Sequence, residues 1–228
     1  MKKLIIIPAY NEEESLGSVI SEVKKHGDYD ILVVNDGSTD HTLDVILEHK
    51  VDFIHFEQNQ GIGSAMQAGY RYAYKNDYDI AVQIDGDGQH DVERLEALSG
   101  RVSSGEYDLV IGSRYIVNTD YPATFFRRNG SRYLSFLIYL MYGVRIHDPT
   151  SGFRVAGRRV IQLFTCYYPK DYPEVPTLAY LLKHNYRVCE MPVHMKQRQG
   201  GRSSISATDS LIYILKVSLA CILCKAGR

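Results

Sequence analysis

The chain has 228 residues with 26 basic and 27 acidic side chains, so its formal net charge is -1. This balance, without a global basic excess, argues against nucleic acid as a partner. Hydrophobic residues make up 45% of the sequence, enough for a sizeable core, and the four cysteines lack the two-pair spacing of a zinc site.

Short β-rich runs alternate with helical patterns over the first 115 residues. Strands are predicted at residues 3–10, 30–36, 52–56, 78–85 and 107–114, and helices at residues 12–27, 37–50, 61–76 and 92–105. Such alternation is typical of an α/β fold with a mostly parallel, doubly wound sheet. The first run is a strand and not a signal peptide, because its apolar stretch ends at Ile7 and Pro8 follows.

Four of these strands end near residues suited to ligand contacts, namely Pro8, Asp36, Asp85 and Arg114. Open α/β sheets bind ligands in the crevice at the carboxyl ends of their strands. The guanidinium group of arginine is suited to bidentate phosphate contacts, which makes Arg114 a candidate. Further arginines cluster later in the chain, at Arg127, Arg128, Arg132, Arg154, Arg198 and Arg202.

The pattern changes near residue 115. The sequence predicts a polar loop and then a long apolar helix at 125–143. These are followed by a turn and short strand at 148–157, a helix at 173–185, a strand at 186–193 and a glycine-rich basic loop at 196–205. Without a linker or a repeat, residues 1–205 are expected to form one domain with two halves, 1–115 and 116–205.

The C-terminal segment, residues 206–228, contains an apolar run at 210–224. This run is too short to cross a bilayer, which needs about 20 apolar residues. Lys216 interrupts it and Lys225 follows it, as in helices that lie flat in a membrane interface. A helix docked on the core or on a partner subunit is the alternative, and both remain open.

The stretch "IDGDGQHD" places Asp85 and Asp87 two residues apart after a strand. Side chains at i and i+2 of an extended segment point the same way, so both carboxylates can converge on one cation, with Gln89 as a further ligand or supporting contact. Mg²⁺ binds through one or two carboxylates plus substrate phosphates. The stretch therefore predicts a site for Mg²⁺ or Mn²⁺ that a diphosphate completes.

A calcium loop and a solvated turn are the alternatives for this acidic stretch. The calcium loop matches at four positions, but it fails because His90 stands where the loop requires glycine and because a strand precedes it. The solvated acidic turn would hold no ligand.

Two nearby motifs are less specific. Asp36 can accept hydrogen bonds from a nucleoside, although a turn or helix cap is the alternative, and for residues 38–40 the cap is preferred. The glycines of "NQGIGSA", residues 59–65, do not complete a dinucleotide fingerprint, so they are expected to permit a tight turn.

Taken in order, the motifs "PAYNEEESL", "VVNDGSTDHT", "QNQGIGSAMQAGY", "QIDGDGQHD", "GSRY" and "DPTSGFR" resemble family 2 glycosyltransferases over residues 3–205. The resemblance is closest to the branch of dolichyl-phosphate mannose synthases and bacterial polyprenyl-phosphate glycosyltransferases. It implies a Rossmann-like GT-A fold, a nucleotide-sugar donor, a divalent metal and inversion at the anomeric carbon. Residues 1–115 would be the nucleotide-sugar-binding half and residues 116–205 the acceptor half.

The resemblance also implies roles for individual residues. The nucleoside would contact Pro8, Tyr10, Glu12, Val34 and Asp36. Asp85, Gly86 and Asp87 would span the donor and metal site, with Asp87 and Gln89 on the metal. Arg114 would lie near the donor phosphates, Arg132 near the acceptor phosphate, and Arg198 in a donor loop. Ser204 replaces the lysine of that loop here, and Arg202 is the candidate for the missing charge.

The acceptor is predicted from the absence of an obvious base. A hydroxyl acceptor needs a general base, whereas a phosphate monoester is largely ionised at pH 7 because its second pKa is about 6. The second half lacks a paired acidic motif, and "DPTSGFR" stands in its place. Asp148 is the candidate base or loop organiser, and Glu174 is a weaker candidate.

The resulting expectation is a peripheral enzyme at the cytoplasmic face of a membrane, without a transmembrane helix. It would transfer a hexose, preferably from a UDP-sugar, to polyprenyl (undecaprenyl) phosphate for cell-surface glycan synthesis. The alternatives are transfer to a sugar hydroxyl of a polysaccharide, mannosyl transfer from GDP-mannose, or a non-catalytic nucleotide-binding subunit. The C-terminal helix would bind lipid, a second copy or a membrane-protein partner.

Overall fold

A seven-stranded sheet with helices on both faces organises the computed structural model, which describes residues 1–26, 28–116, 125–195 and 207–226. The strands are β1 (Lys3–Ala9), β2 (Asp30–Asn35), β3 (Asp52–His55), β4 (Ile80–Gln83), β5 (Leu109–Ser113), β6 (Arg154–Gly157) and β7 (Val188–Pro192). The helices are α1 (Leu16–Lys24), α2 (Thr42–His49), α3 (Ile62–Lys75), α4 (Leu95–Ser103), α5 (Phe125–Tyr142), α6 (Arg158–Cys166), α7 (Glu174–Lys183) and α8 (Ala207–Ala226).

The sheet is parallel except for one strand. Its order is β3-β2-β1-β4-β6-β5-β7, and β6 runs antiparallel to both β4 and β5. Arg154, the first residue of β6, therefore pairs with Gln83 at the end of β4 and with Ile111 in β5. This reversal places the loop before β6 at the carboxyl ends of the parallel strands.

Alternation along the strands explains why both faces of the sheet are covered. Leu4 and Ile6 of β1 lie in one buried apolar cluster, and Ile5 and Ile7 lie in the other. Successive strand residues point to opposite faces, so a continuous apolar run is required when helices cover both. The predicted α/β class and mostly parallel sheet are confirmed.

The second half differs from the prediction in two respects. The sequence pattern did not reveal α6, which follows β6 without a connecting loop. It also did not reveal that β6 is antiparallel, because a four-residue strand carries no signal for its direction. Strand direction is decided by pairing with β4 and β5, which lie more than 40 residues earlier in the chain.

Helix α8 packs on α5 and α7, with Val217 and Cys221 buried in the core. Burial raises the pKa of the Cys221 thiol to about 12, so this cysteine is a packing residue and not a reactive one. Within the described part of the chain, no helix is long and apolar enough to cross a membrane.

Gly63, in the first turn of α3, is required by a close approach between the two halves. Its amide donates to the Lys170 carbonyl (3.1 Å), and a Cβ at this position would lie 2.0 Å from the Pro169 carbonyl oxygen. The glycines of the 59–65 motif thus admit the 169–170 backbone, while Gly61 adopts a positive φ of 91° at the start of the helix.

Gly63→Ala should lower the free energy of unfolding by about 2–3 kcal/mol, because the backbone contact cannot form without a shift. Gly100→Ala is the matched control, since Gly100 is also helical and a Cβ there meets nothing within 4 Å. The control should raise stability by about 0.5–1 kcal/mol through helix propensity. Urea denaturation of both variants measures the difference, and equal stabilities would contradict the contact.

Candidate active site

The acidic loop after β4 is held by His90. The Asp85 amide donates to His90 Nδ1 (3.1 Å), and His90 Nε2 lies 3.4 Å from Asp85 Oδ2. Because Nδ1 accepts a hydrogen bond, the ring proton is assigned to Nε2, where it points at the carboxylate. The imidazole is buried and stacks on Phe153 just before β6, with ring centroids 5.0 Å apart. Asp85 is therefore oriented by its own loop.

The second carboxylate of the loop closes a tight turn. The Gln89 amide donates to Asp87 Oδ1 (3.1 Å), and Gly88 between them has a φ of 74°. The Asp87 and Gln89 side chains are half-buried, like that of Asp85. The loop thus places three partly exposed, oxygen-bearing side chains directly after β4.

The donor set fits a hard divalent cation that takes further ligands from a substrate. Asp85 and Asp87 could supply carboxylate oxygens, and Gly152 leaves room beside Asp85, because a Cβ there would lie 3.0 Å from Asp85 Oδ2. Among the described residues, no group of three or more His, Cys, Asp or Glu side chains is arranged to hold a metal ion by itself. Mg²⁺ and Mn²⁺ are commonly bound in this incomplete manner, through carboxylates and phosphates together.

Arg114 follows β5 and is held by Asp148. Its Nε and Nη2 donate to Asp148 Oδ2 (2.6 Å) and Oδ1 (2.7 Å), and its backbone amide also donates to Oδ2 (3.1 Å). Nη2 donates in addition to Thr150 Oγ1 (2.9 Å). The Asp148 side chain has no exposed surface. In this conformation Asp148 orients Arg114.

Glu190 of β7 holds the turn that carries Asp148. Its Oε1 accepts the Asp148 amide (2.7 Å), and its Oε2 accepts the His147 amide (2.6 Å) and lies 3.0 Å from His147 Nδ1. The Glu190 side chain is 4% exposed. The chain of contacts therefore runs from β7 through the 147–148 turn to Arg114.

A buried arginine fixes the remainder of this loop. The Arg154 guanidinium donates to the carbonyls of Ser151 (2.8 Å), Pro149 (2.9 Å) and Glu174 (2.8 Å), and to Thr177 Oγ1 (3.2 Å). Arg154, one of the arginines considered for phosphate binding, is thus used structurally. It ties the 149–151 loop to the start of α7.

Glu174 begins α7 close to the acidic loop. Burial raises the pKa of its carboxyl group, the nearby Arg154 opposes this rise, and the negative charge of Asp85 adds to it. A carboxyl group with a raised pKa beside a ligand site has the properties of a general acid or base.

The loops after β1 and β2 interlock at the same edge of the sheet. The Asn11 amide donates to Ser38 Oγ (3.0 Å), and the Thr39 amide donates to Asn11 Oδ1 (2.8 Å). Asp40 accepts hydrogen bonds from the amide (3.0 Å) and hydroxyl (2.6 Å) of Thr42 at the start of α2. Residues 38–40 therefore act as a turn and cap.

The residues expected to contact the nucleoside differ in their accessibility. Pro8 and Glu12 lie against Gly86, with a Cβ at 86 placed 3.4 Å from the Pro8 carbonyl oxygen, and Tyr10 is exposed beside them. Val34 is fully buried inside the sheet. The Asp36 carboxylate accepts the amides of Gln60 (2.7 Å) and Gly61 (2.9 Å), so it fixes the start of α3.

Of three further predicted arginines, one lies in the described part of the chain. Arg132 is exposed on α5. Arg198 and Arg202, together with Ser204, lie outside the described residues. Sequence reasoning missed Glu190 and Gly152. Glu190 had one signal, which is a lone acidic residue within the apolar strand segment "VCEMP".

The family described as Glycosyl transferase family 2 matches residues 4–164. The chain belongs to this family. It is 31% identical to polyprenol monophosphomannose synthase of Mycolicibacterium smegmatis, over 95% of this chain and 86% of that protein. It is 30% identical to UDP-N-acetylglucosamine--dolichyl-phosphate N-acetylglucosaminyltransferase of Methanococcus voltae, over 71% of each chain.

The fold is that of known GT-A structures. Glucosyl-3-phosphoglycerate synthase of Mycobacterium tuberculosis, in complex with Mn²⁺, UDP-glucose and phosphoglyceric acid, matches with a TM-score of 0.76 at 20% identity, over 99% of this chain and 80% of that one. The GT-A expectation is confirmed. The protein is a glycosyltransferase, and its relatives include polyprenyl-phosphate sugar transferases.

Glu190→Gln should lower kcat of this family 2 glycosyltransferase by about tenfold to a hundredfold, because small displacements of a positioned group have effects of this size. The new amide group would face the His147 or Asp148 amide, and the turn that orients Arg114 would shift. Glu106→Gln is the control, since Glu106 is exposed and pairs with Arg101.

A double-mutant cycle separates positioning from general destabilisation. In an Arg114→Lys background, Glu190→Gln should change kcat little further, because it acts through Arg114. Steady-state kinetics of the four enzymes measure the coupling. Fully additive losses would show that Glu190 acts by another route.

Proposed function

We propose that this enzyme transfers a hexose from a UDP-sugar to polyprenyl phosphate, with inversion, at the cytoplasmic face of a membrane. Mg²⁺ or Mn²⁺ would be held by Asp85, Asp87 and Gln89 together with the donor diphosphate. The product would be a lipid-linked sugar for cell-surface glycan synthesis.

The observation that carries this proposal is the state of Asp148. Its carboxylate is buried and bound to Arg114 by three hydrogen bonds, so it is not available to remove a proton from an acceptor. A sugar hydroxyl requires such a base, whereas a phosphate monoester is already ionised at neutral pH. The pairing therefore favours a phosphate acceptor.

Relatives support the acceptor class and bear on the donor. The names of the Mycolicibacterium smegmatis and Methanococcus voltae relatives specify a polyprenol and a dolichyl phosphate, and the second also specifies a UDP-sugar. The Mycobacterium tuberculosis structure of the same fold contains Mn²⁺ and UDP-glucose together. A UDP-sugar and a divalent cation are the donor and cofactor that we infer.

The proposed mechanism assigns charge stabilisation to the carboxyl ends of the strands. The chemistry that a divalent cation supplies in such a site is neutralisation of the leaving nucleoside diphosphate. Arg114, oriented by Asp148, would contact the donor phosphates, and Arg198 and Arg202 are proposed to join it. Arg132 is proposed to bind the acceptor phosphate, whose oxygen attacks the opposite face of the sugar.

The direct test incubates purified enzyme and Mn²⁺ or Mg²⁺ with labelled UDP- and GDP-sugars, with and without undecaprenyl phosphate. We expect label from a UDP-sugar in a mild-acid-labile lipid only when the lipid phosphate is present. Equal donor hydrolysis without lipid, or label in a polar glycan, would contradict the proposal. Asp87→Asn should reduce transfer by about a hundredfold or more, and Asp44→Asn, at an exposed position, should not.

The second candidate function is transfer to a sugar hydroxyl, and the raised pKa of Glu174 is the observation in its favour. For a phosphate acceptor, Glu174→Gln should retain transfer within about threefold, because no proton has to be removed. A base would instead lose about a hundredfold or more on the same substitution. Transfer rates of both enzymes, measured with undecaprenyl phosphate and with a polysaccharide acceptor, decide between these outcomes.

A further inference from the structure

The outward surfaces of α5 and α8 carry most of the exposed large hydrophobic side chains of the described residues. Phe136 and Leu140 on α5, and Leu215, Leu219, Ile222 and Leu223 on α8, are 50–68% exposed. Away from these two helices, Met1 and Leu47 are the only described large hydrophobic residues exposed to this degree. We call this surface the α5/α8 face.

The two helices lie side by side and run in the same direction. The Ser218 hydroxyl donates to the Tyr133 hydroxyl (3.3 Å). Closer to the C-terminal ends of both helices, Lys225 Nζ donates to the Met141 carbonyl (2.6 Å). Each helix buries its opposite side, with Ile138 of α5 and Val217 of α8 in the core. The exposed apolar side chains therefore form one continuous strip.

Among the described side chains of α5 and α8, the charged ones are all basic. Helix α5 contains no acidic residue, and the single acidic residue of α8 is Asp209 in its first turn. Exposed basic residues accompany the apolar strip at Arg128 and Arg132 on α5 and at Lys216 and Lys225 on α8. Apolar side chains flanked by lysine and arginine are the pattern of helices that lie in the interface of an anionic membrane.

The face also borders the active site. Tyr213, near the start of α8, packs its ring against Tyr172, with ring centroids 4.7 Å apart. Burial and the Glu174 carboxylate raise the pKa of the Tyr213 hydroxyl, whereas Arg154 and Arg114 act in the opposite direction. The beginning of α8 thus lies beside Tyr172, just before α7, and Arg154 ties the start of α7 to the 149–151 loop.

We propose that the α5/α8 face binds the surface of an anionic lipid bilayer, with both helices lying in the headgroup plane. A second copy of the chain would also bury apolar area, but a basic strip facing its own copy would bring like charges together. The choice of lipid rests in part on the proposed function, because the polyprenyl phosphate acceptor would lie at the bilayer surface beside Arg132 and Tyr213.

Vesicle flotation tests the face directly. Wild-type enzyme should float with vesicles of phosphatidylglycerol and phosphatidylcholine, and less with phosphatidylcholine alone. The double variants Phe136→Glu/Leu140→Glu on α5 and Leu215→Glu/Leu219→Glu on α8 should each reduce the bound fraction about tenfold or more. Leu47→Glu/Phe53→Glu is the matched control, because both positions are exposed and apolar but lie on α2 and β3, and it should bind like wild type.

Two results would overturn the proposal. One is vesicle binding that is absent in wild type or unchanged in both double variants. The other is a wild-type enzyme that does not bind vesicles, is a dimer by light scattering, and becomes a monomer in the α5 and α8 variants. That result would assign the face to a second copy of the chain. Melting temperatures close to wild type are expected for every variant, since the substituted side chains are exposed, and they exclude misfolding.

The outcome is separable from that of the proposed function. With a short, water-soluble prenyl phosphate, the α5 and α8 variants should keep the wild-type transfer rate, while transfer to undecaprenyl phosphate in vesicles falls with the bound fraction. If wild type floats with vesicles but transfers no sugar to either phosphate, the proposed acceptor is wrong and the lipid-binding face stands. If the enzyme transfers sugar to the soluble acceptor but does not float with vesicles, the proposed acceptor stands and the lipid-binding face is wrong.

Discussion

The ion pair between Arg114 and Asp148 is the contact on which the arrangement of the candidate site depends. A carboxylate without exposed surface is costly unless hydrogen bonds satisfy it, and here the Arg114 side chain, the Arg114 amide and Thr150 do so. Breaking this pair would leave a buried charge unpaired. The direction in which Arg114 points is therefore tied to the stability of the loop. Asp148, in the second half of the chain, orients a residue of the first half.

The antiparallel strand β6 makes this pairing possible. If β6 ran parallel to its neighbours, the loop before it would lie at the opposite edge of the sheet, far from the acidic loop. In the observed direction, Phe153 stacks on His90 and Gly152 lies against Asp85. Arg154 then holds the loop from beneath through carbonyl oxygens. The antiparallel direction of β6 thus places the loop that contacts both Arg114 and Asp85.

The part of the site that was predictable from sequence is the part encoded locally. Strands β1, β2, β4 and β5 show apolar runs that end in candidate site residues, and these strands run in the same direction, so their carboxyl ends lie on one side of the sheet. The Arg114–Asp148 pair joins residues 34 positions apart, and Glu190 lies 42 positions beyond Asp148. The hydrophobic periodicity of the sequence does not predict such contacts, because they form only once the strand order and the direction of β6 are fixed.

Asp36 shows that a sequence motif can locate an acidic residue without identifying its hydrogen-bond donors. Its position at the end of β2 predicts a nucleoside contact, and in the fold the carboxylate also accepts the Gln60 and Gly61 amides. An acid at a strand end has several ways to satisfy its oxygens, and the unpaired amides at the beginning of a neighbouring helix are one of them. The sequence shows the acid but does not show which donors reach it.

The C-terminal helix shows why hydropathy alone does not decide between core packing and membrane binding. Helix α8 is apolar on almost its entire circumference, so its sequence does not reveal which side meets the core. In the fold, Val217 and Cys221 fill the core while Leu215, Leu219 and Ile222 remain outside. Core packing therefore accounts for only one side of the helix. The other apolar side of α8 faces away from the core, next to an apolar side of α5, and burying it requires a second apolar environment. One helix can therefore both dock on the core and lie in a membrane interface.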